Sequence, residues 1–326
     1  MLTNRYLLLY CFALCTATMA MGQQMPLYSL AILNKYRMNQ AYAGLDNAIN
    51  ATGVYRSQWV DFPGAPESYQ VNVFTPIYRL HGGMGLFVDA DKIGAERTLQ
   101  AGLSYNYIKT FSQLGYLSFS GTIALLQKSF DGRVIRTPDG NYEGGSLDHK
   151  DGILSNVLSK GTSPLAHLGV YFANDNLEAG ISFDNLWAPK LKASDESFTF
   201  KPRNHISAYF EYLVPLTEQI SLVPSVMLRT DLVAYQSDIN VKVQFRNTLF
   251  GGMALRGYNR QSFDAIAVFV GYRINQNLLI AYNYDFTISA IQNYSRGSHE
   301  LVVNYKIGKN WRAAGQEPIL YSPRFL

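Results

Sequence analysis

The chain has 326 residues, a formal net charge of +4, 13% aromatic residues and only 16% charged ones. Water-soluble domains carry about 25% charged residues, and so mild a charge, with no basic stripe among aromatics, argues against a nucleic-acid partner. Both cysteines, Cys11 and Cys15, fall at the amino end, which leaves the remaining chain without a disulfide framework or thiol ligand.

Residues 1–22 read as a secretory signal peptide. Arg5 supplies the positive start, "YLLLYCFALCTATMAM" the apolar stretch, and "AMG" a small-residue cleavage site before Gln23. A retained signal anchor is the rival reading. Leu14 before Cys15 speaks against lipoprotein processing. Residues 26–38, "PLYSLAILNKYRM", begin with proline at a plausible first helical position. They are expected to form a short helix inside or beneath a barrel, within a plug-like segment over 23–48.

Beyond residue 48 the chain alternates between apolar and polar residues. "DINVKVQF" places Ile239, Val241, Val243 and Phe245 on one face and Asp238, Asn240, Lys242 and Gln244 on the other. "NLEAGISFDN", "HISAYFEY" and "HELVVNYKIG" repeat the pattern, with Glu178, Asp184, Glu211, Glu300 and Lys306 on the polar faces. Period-two alternation is a strand signature. No segment after the leader approaches the ~18 apolar residues of a membrane helix.

Fourteen strands are expected, near 49–57, 67–76, 82–90, 96–109, 114–128, 163–173, 176–184, 203–213, 219–230, 235–245, 248–257, 262–272, 276–286 and 297–307. The fold expected is an all-β transmembrane antiparallel barrel over 49–307, in which every backbone group pairs within the wall. With both chain ends periplasmic, the long connections 129–162 and 185–202 fall on the outer side. The short ones at 231–234 and 258–261 break that rule. The tail, 308–326, is expected in the periplasm. A soluble sandwich or secreted barrel would alternate similarly, but the aromatic content and the lack of outward charge favour the membrane.

Chemistry is sparse. His81, His149, His167, His205 and His299 are scattered, and neither a phosphate loop nor a nucleophile elbow is present. A hydrolase would need a serine paired with His205 or His299. "DADKIG", 89–94, has carboxylates where a calcium loop begins, but Ile93 and Gln100 stand where ligands are required. The expectation is a protein without catalytic residues, metal or cofactor.

"YRSQWVDFPGAP", 55–66, is different. Trp59 and Phe62 sit where barrels place interfacial rings, and Pro63, Gly64 and Pro66 fix a rigid turn. A stiff aromatic loop loses little entropy on binding, so it reads either as a rim girdle or as a docking surface.

Five blocks carry a family resemblance: "NQAYAG" at 39–44, "YRSQWVDFPGAPES" at 55–68, "DKIG" at 91–94, "YDFTISAIQNYSRGSHELVVNY" at 284–305 and "SPRF" at 322–325. Together they resemble the PorP/SprF family of the type IX secretion system of Bacteroidetes. Gln40 replaces a usual proline, which would loosen the turn before the first strand. Ser322 stands where many members have cysteine.

The resemblance implies a non-enzymatic outer-membrane accessory barrel of a Gram-negative bacterium that assists export or surface anchoring. Its partners would be a secreted adhesin-like protein bearing a type IX C-terminal signal, as in gliding, the periplasmic ring and peptidoglycan-linked components, and outer-membrane lipid. Partner-binding residues are then expected at Trp59, Phe62, Pro63, Gly64, Pro66, Asp91, Lys92, Pro323, Arg324 and Phe325. The alternative is a channel for small hydrophobic compounds, resembling fatty-acid transporters, which would require an apolar lumen.

Overall fold

Alternation becomes an inside-out distribution of side chains. The computed structural model describes residues 26–111, 114–143, 147–151, 154, 156–195, 198–258 and 263–307, so the leader and the 308–326 tail lie outside the described residues. Fourteen long strands form the wall. They are β1 Ile49–Ser57, β2 Glu67–Ile77, β3 Gly82–Ile93, β4 Glu96–Phe111, β5 Gly115–Asp131, β6 Leu158–Ala173 and β7 Leu177–Trp187. The second half comprises β8 His205–Tyr212, β9 Ile220–Thr230, β10 Tyr235–Phe245, β11 Leu249–Tyr258, β12 Ala265–Arg273, β13 Leu278–Thr287 and β14 Ser298–Ile307.

Each strand pairs antiparallel with the next, and β14 returns to β1 with Ile49 opposite Ile307 and Ser57 opposite His299. Closure leaves no unpaired edge, which is the condition for strands to cross lipid. On the outer face, Val71, Leu86, Ile123, Val241 and Val270 are exposed; on the inner face, Asn72, Ser104, Thr122, Glu178 and Asn240 are buried. Such a surface suits hydrocarbon outside and a polar lumen within. It fixes the register too, because a slip of one residue would turn every apolar side chain inward.

The strands expected from alternation are all present, but several are longer. β5 continues to Asp131 and β6 begins at Leu158, paired directly. The added residues, 129–131 and 158–162, place the polar Lys160 and Thr162 on the exposed face, where alternation would need apolar side chains. Alternation therefore vanishes from the sequence while the backbone ladder continues.

The connections sort by end. The β5–β6, β7–β8 and β13–β14 connections leave the wall at one end, with the loop at 58–66; the tight turns between β4 and β5, β6 and β7, and β10 and β11 lie at the other. The β9–β10 connection, 231–234, remains short at the long-loop end. Smaller pairings, Leu191–Lys192 with Thr199–Phe200 and Val214–Pro215 on β9, lie outside the main ladder.

The continuous helix expected over 26–38 is not formed. The chain makes a 3-10 turn at Ala31–Leu33, one helical turn at Lys35–Met38 and a second 3-10 turn at Gln40–Tyr42. Its amides find partners elsewhere. The Ser29 and Leu30 N–H groups donate to the Glu300 carboxylate at 2.7 and 2.9 Å. Asn39 accepts the Ala41 N–H and caps the second turn, which is well formed with Gln40 buried in it.

Candidate docking rim and luminal segment

Three of the sequence blocks meet at the long-loop end. In the loop after β1, the Gln58 N–H donates to the Pro66 carbonyl at 3.0 Å, and two turns lie between them, Phe62 to Trp59 and Ala65 to Phe62. Trp59 and Asp61 have φ of 54° and 72°, a region that costs a non-glycine residue on the order of 1–3 kcal/mol. Neighbours hold them there. The Val60 N–H donates to Gly297 and the Arg296 N–H to Val60, both at 2.9 Å, while the Trp59 N–H donates to Ser298 Oγ at 3.1 Å. On the other side, the Gly94 N–H donates to the Gly64 carbonyl at 3.0 Å.

The W-x-x-F-x-G-A-P block, the DKIG turn and the S-x-G-x-H-E loop therefore form one continuous rim. Phe62, Pro63 and Gly64 are exposed on it, Trp59 is half-buried and Pro66 is buried as the loop's hinge. Ile93 is 48% and Tyr294 71% exposed, and these extend the apolar surface on either side. Lys92 is exposed and points away from the lumen, whereas Asp91 points into it, bonded by the Ser68 hydroxyl. Of the other expected contact residues, Pro323, Arg324 and Phe325 lie outside the described residues.

Inside the wall, residues 26–47 are held by charges that the alternating pattern did not pair in advance. Arg56 on β1 donates to Asp285 Oδ2 at 2.6 Å and to Glu300 Oε2 at 2.9 Å, and Arg256 reaches the same Asp285 oxygen at 2.5 Å. The Ser29 hydroxyl donates to Asp285 Oδ1 at 2.7 Å. Lys35 Nζ lies 2.6 Å from Glu178 and 3.0 Å from Glu211. Arg37 pairs with Asp89 through its Nε at 2.5 Å. Buried charges are tolerated only when paired and hydrogen-bonded in this way.

Glycines make room for the segment. A Cβ at Gly85 would overlap the Tyr36 ring, and one at Gly83 would lie 2.5 Å from the Ala43 carbonyl oxygen. Burial pushes the Tyr36 phenol up to about 12 against the opposing hydrogen bond with Ser104. Burial, with Asp89, Glu300 and Asp91 nearby, also raises Tyr28. Both phenols stay neutral, and the Tyr36 hydroxyl shares a 2.8 Å hydrogen bond with Ser104.

His205 and His299, the two histidines considered for catalysis, sit on opposite faces of the wall. His205 Nδ1 lies 3.0 Å from the Arg203 carbonyl, inside; His299 Nδ1 lies 2.5 Å from the Tyr282 hydroxyl, outside. Among the described residues no group of three acidic or histidine side chains is placed to hold a metal.

The family model for type IX secretion system membrane protein PorP/SprF matches residues 20–305. The chain belongs to the PorP/SprF family. It is an outer-membrane β-barrel of a Gram-negative bacterium and a component of type IX secretion. No curated protein matches the sequence.

Solved outer-membrane barrels resemble this PorP/SprF chain in fold. The Ralstonia pickettii toluene transporter TbuX matches with a TM-score of 0.51 at 9% identity, over 83% of this chain and 92% of that one. A Pseudomonas aeruginosa FadL homologue matches at 0.43 and 11% identity, over 80% and 89%. Acinetobacter baumannii Omp33 matches at 0.45 and 7%, over 81% and 100%.

The rim loop was legible in the sequence because prolines and glycines punctuate it. The partners of Arg56 were not, because its ion pairs with Asp285 and Glu300 join residues more than two hundred positions apart.

Proposed function

We propose that this PorP/SprF barrel is a non-enzymatic docking component that holds a secreted adhesin-like protein at its long-loop rim and meets periplasmic machinery from the other end. The observation that carries this reading is the convergence of three separate sequence blocks on one braced, partly apolar rim. Two strained non-glycine residues are held at that rim, and such strain concentrates at binding surfaces. A loop fixed beforehand by cross-rim hydrogen bonds loses little entropy when a partner binds.

In this reading the long-loop end faces outward, and residues 26–47 act as the plug that keeps the pore narrow at rest. The chain is then organised as a leader over 1–22, a plug segment over 23–48, the barrel over 49–307 and a periplasmic tail over 308–326. The tail, with Pro323, Arg324 and Phe325, would engage ring or peptidoglycan-linked components.

Transport of small hydrophobic compounds is the competing reading. The inward Glu178, Asp184, Glu211, Asp238 and Glu300 speak against it, because they line the interior with charge where such a channel needs an apolar tunnel. A crosslinked pull-down of the tagged barrel from native outer membranes tests the choice. Recovery of a secreted adhesin-like protein or of periplasmic secretion components is expected. A lone barrel carrying bound lipid or a small hydrophobic compound would overturn the docking reading.

A further inference from the structure

A cavity of about 130 Å³ lies in the long-loop half of the lumen, between the β3–β5 wall and the β7–β9 wall, with the 26–38 stretch along one side. For scale, a cavity of about 150 Å³ accepts a benzene ring. Leu126, Leu165 and Met227 give it apolar walls.

Its polar groups are unevenly satisfied. Asp89 uses Oδ2 on Arg37, while Oδ1 has no hydrogen-bond partner. Asp91 accepts the Ser68 hydroxyl and forms no ion pair among the described residues, with Lys128 as its nearby cation. Lys128, the cation on the neighbouring wall, is held by Glu96 at 2.5 Å and lies over the Phe200 ring. His205 is 6% exposed, and its Nδ1 faces the Arg203 carbonyl, which places the proton there and leaves Nε2 as an open acceptor. The Arg229 guanidinium pairs with Asp238 at 2.6 Å, and its Nε–H is buried without a partner.

Two of these three acceptors are buried and the third lies on a carboxylate that forms no ion pair, while the buried donors open beside them, the Arg229 Nε–H and the Tyr28 hydroxyl, cannot match all three. Leaving such groups unmatched is costly, and a group rich in donors and positively charged would satisfy them together. We propose that the cavity is a binding site for an ammonium group on an apolar stem, about the size of one lysine side chain, with Asp91 as its counter-charge and Asp89 Oδ1 and His205 Nε2 as the further acceptors. The site does not depend on the docking reading. The ammonium has two sources to be told apart: an incoming amine or lysine side chain, and the chain's own amino terminus freed by leader removal before Gln23.

Calorimetry on the purified full-length barrel in detergent, with benzylamine, benzyl alcohol and phenylacetate as probes, tests the charge requirement on one ring size. Benzylamine is expected to bind at least tenfold more tightly than the other two. Asp91→Asn should remove that preference while the barrel keeps its heat-resistant migration on gels. The wild-type comparison stands even if the variant fails to fold. If benzylamine does not bind, an α-amine shielded from acetylation in the wild type and exposed in Asp91→Asn assigns the site to the chain's own terminus. Equal binding of benzylamine and benzyl alcohol overturns the proposal, as does absence of benzylamine binding with an α-amine that is freely reactive or blocked.

Discussion

Arg56 and Glu300 face each other across the line where the first and last strands meet, with Nη1 and Oε2 2.9 Å apart and both side chains fully buried. The same two residues hold Ser29, so the barrel closure and the luminal segment share one set of bonds. Removing one member of such a buried pair leaves an uncompensated charge, at a cost of about 3–5 kcal/mol. Arg56→Met and Glu300→Gln should each lower the temperature at which the barrel loses its heat-resistant gel migration. The double variant should lose less than the two singles combined. Strictly additive losses would show that the pair does not act as a unit.

Tyr36 occupies the space that a side chain at residue 85 would need. Gly85→Val is compatible with a strand backbone but should displace Tyr36 and with it the turn carrying Lys35 and Arg37. Trypsin should then cut after Lys35 or Arg37 in the intact barrel, where the wild type resists. Equal resistance in both proteins would contradict the packing described.

The outer face sets a different cost. Val241 is exposed to the bilayer and Asn240 beside it is buried in the lumen. An arginine on the lipid face near the midplane costs roughly 2–4 kcal/mol, so Val241→Arg should sharply reduce folded barrel in the outer membrane. Asn240→Ala should leave most of it. Similar yields for the two variants would reverse the assignment of faces.

The β9–β10 connection carries a pH-sensitive turn. Burial alone would raise the Asp231 carboxyl, but the Ala234 and Val233 N–H groups and Arg203 outweigh it and hold it below its ordinary value of 3.8. A depressed carboxyl stabilises the turn above that value and releases it as pH falls through the folded-state value. Hydrogen exchange at Val233 and Ala234, corrected for intrinsic rate, should show protection near pH 5 that is lost toward about pH 2. Protection unchanged over that range would contradict the role given to Asp231.

The sequence made the wall legible and the lumen only partly so. β1 and β10 have the boundaries that alternation predicted, since both of their faces are specified, one by lipid and one by polar contents. The upper parts of β5 and β6 were hidden because polar residues such as Lys160 and Thr162 take the exposed face there. The stretch at 26–38 misled for a related reason. Its backbone is satisfied by carboxylates on distant strands, and local periodicity carries no record of Glu300 accepting from Ser29. At the rim, Pro63, Gly64 and Pro66 marked a rigid loop, but its contacts with Gly94 and Gly297 required the closed barrel.

The central claim is that the rim around Phe62 docks a protein. A photo-crosslinking residue placed at Phe62 in living cells, with the same residue at Val241 as the lipid-facing control, tests it directly. The account predicts a discrete protein adduct at position 62, containing a secreted or secretion-machinery polypeptide, and lipid alone at 241. Lipid adducts at both positions, from a barrel that is folded and abundant, would contradict it.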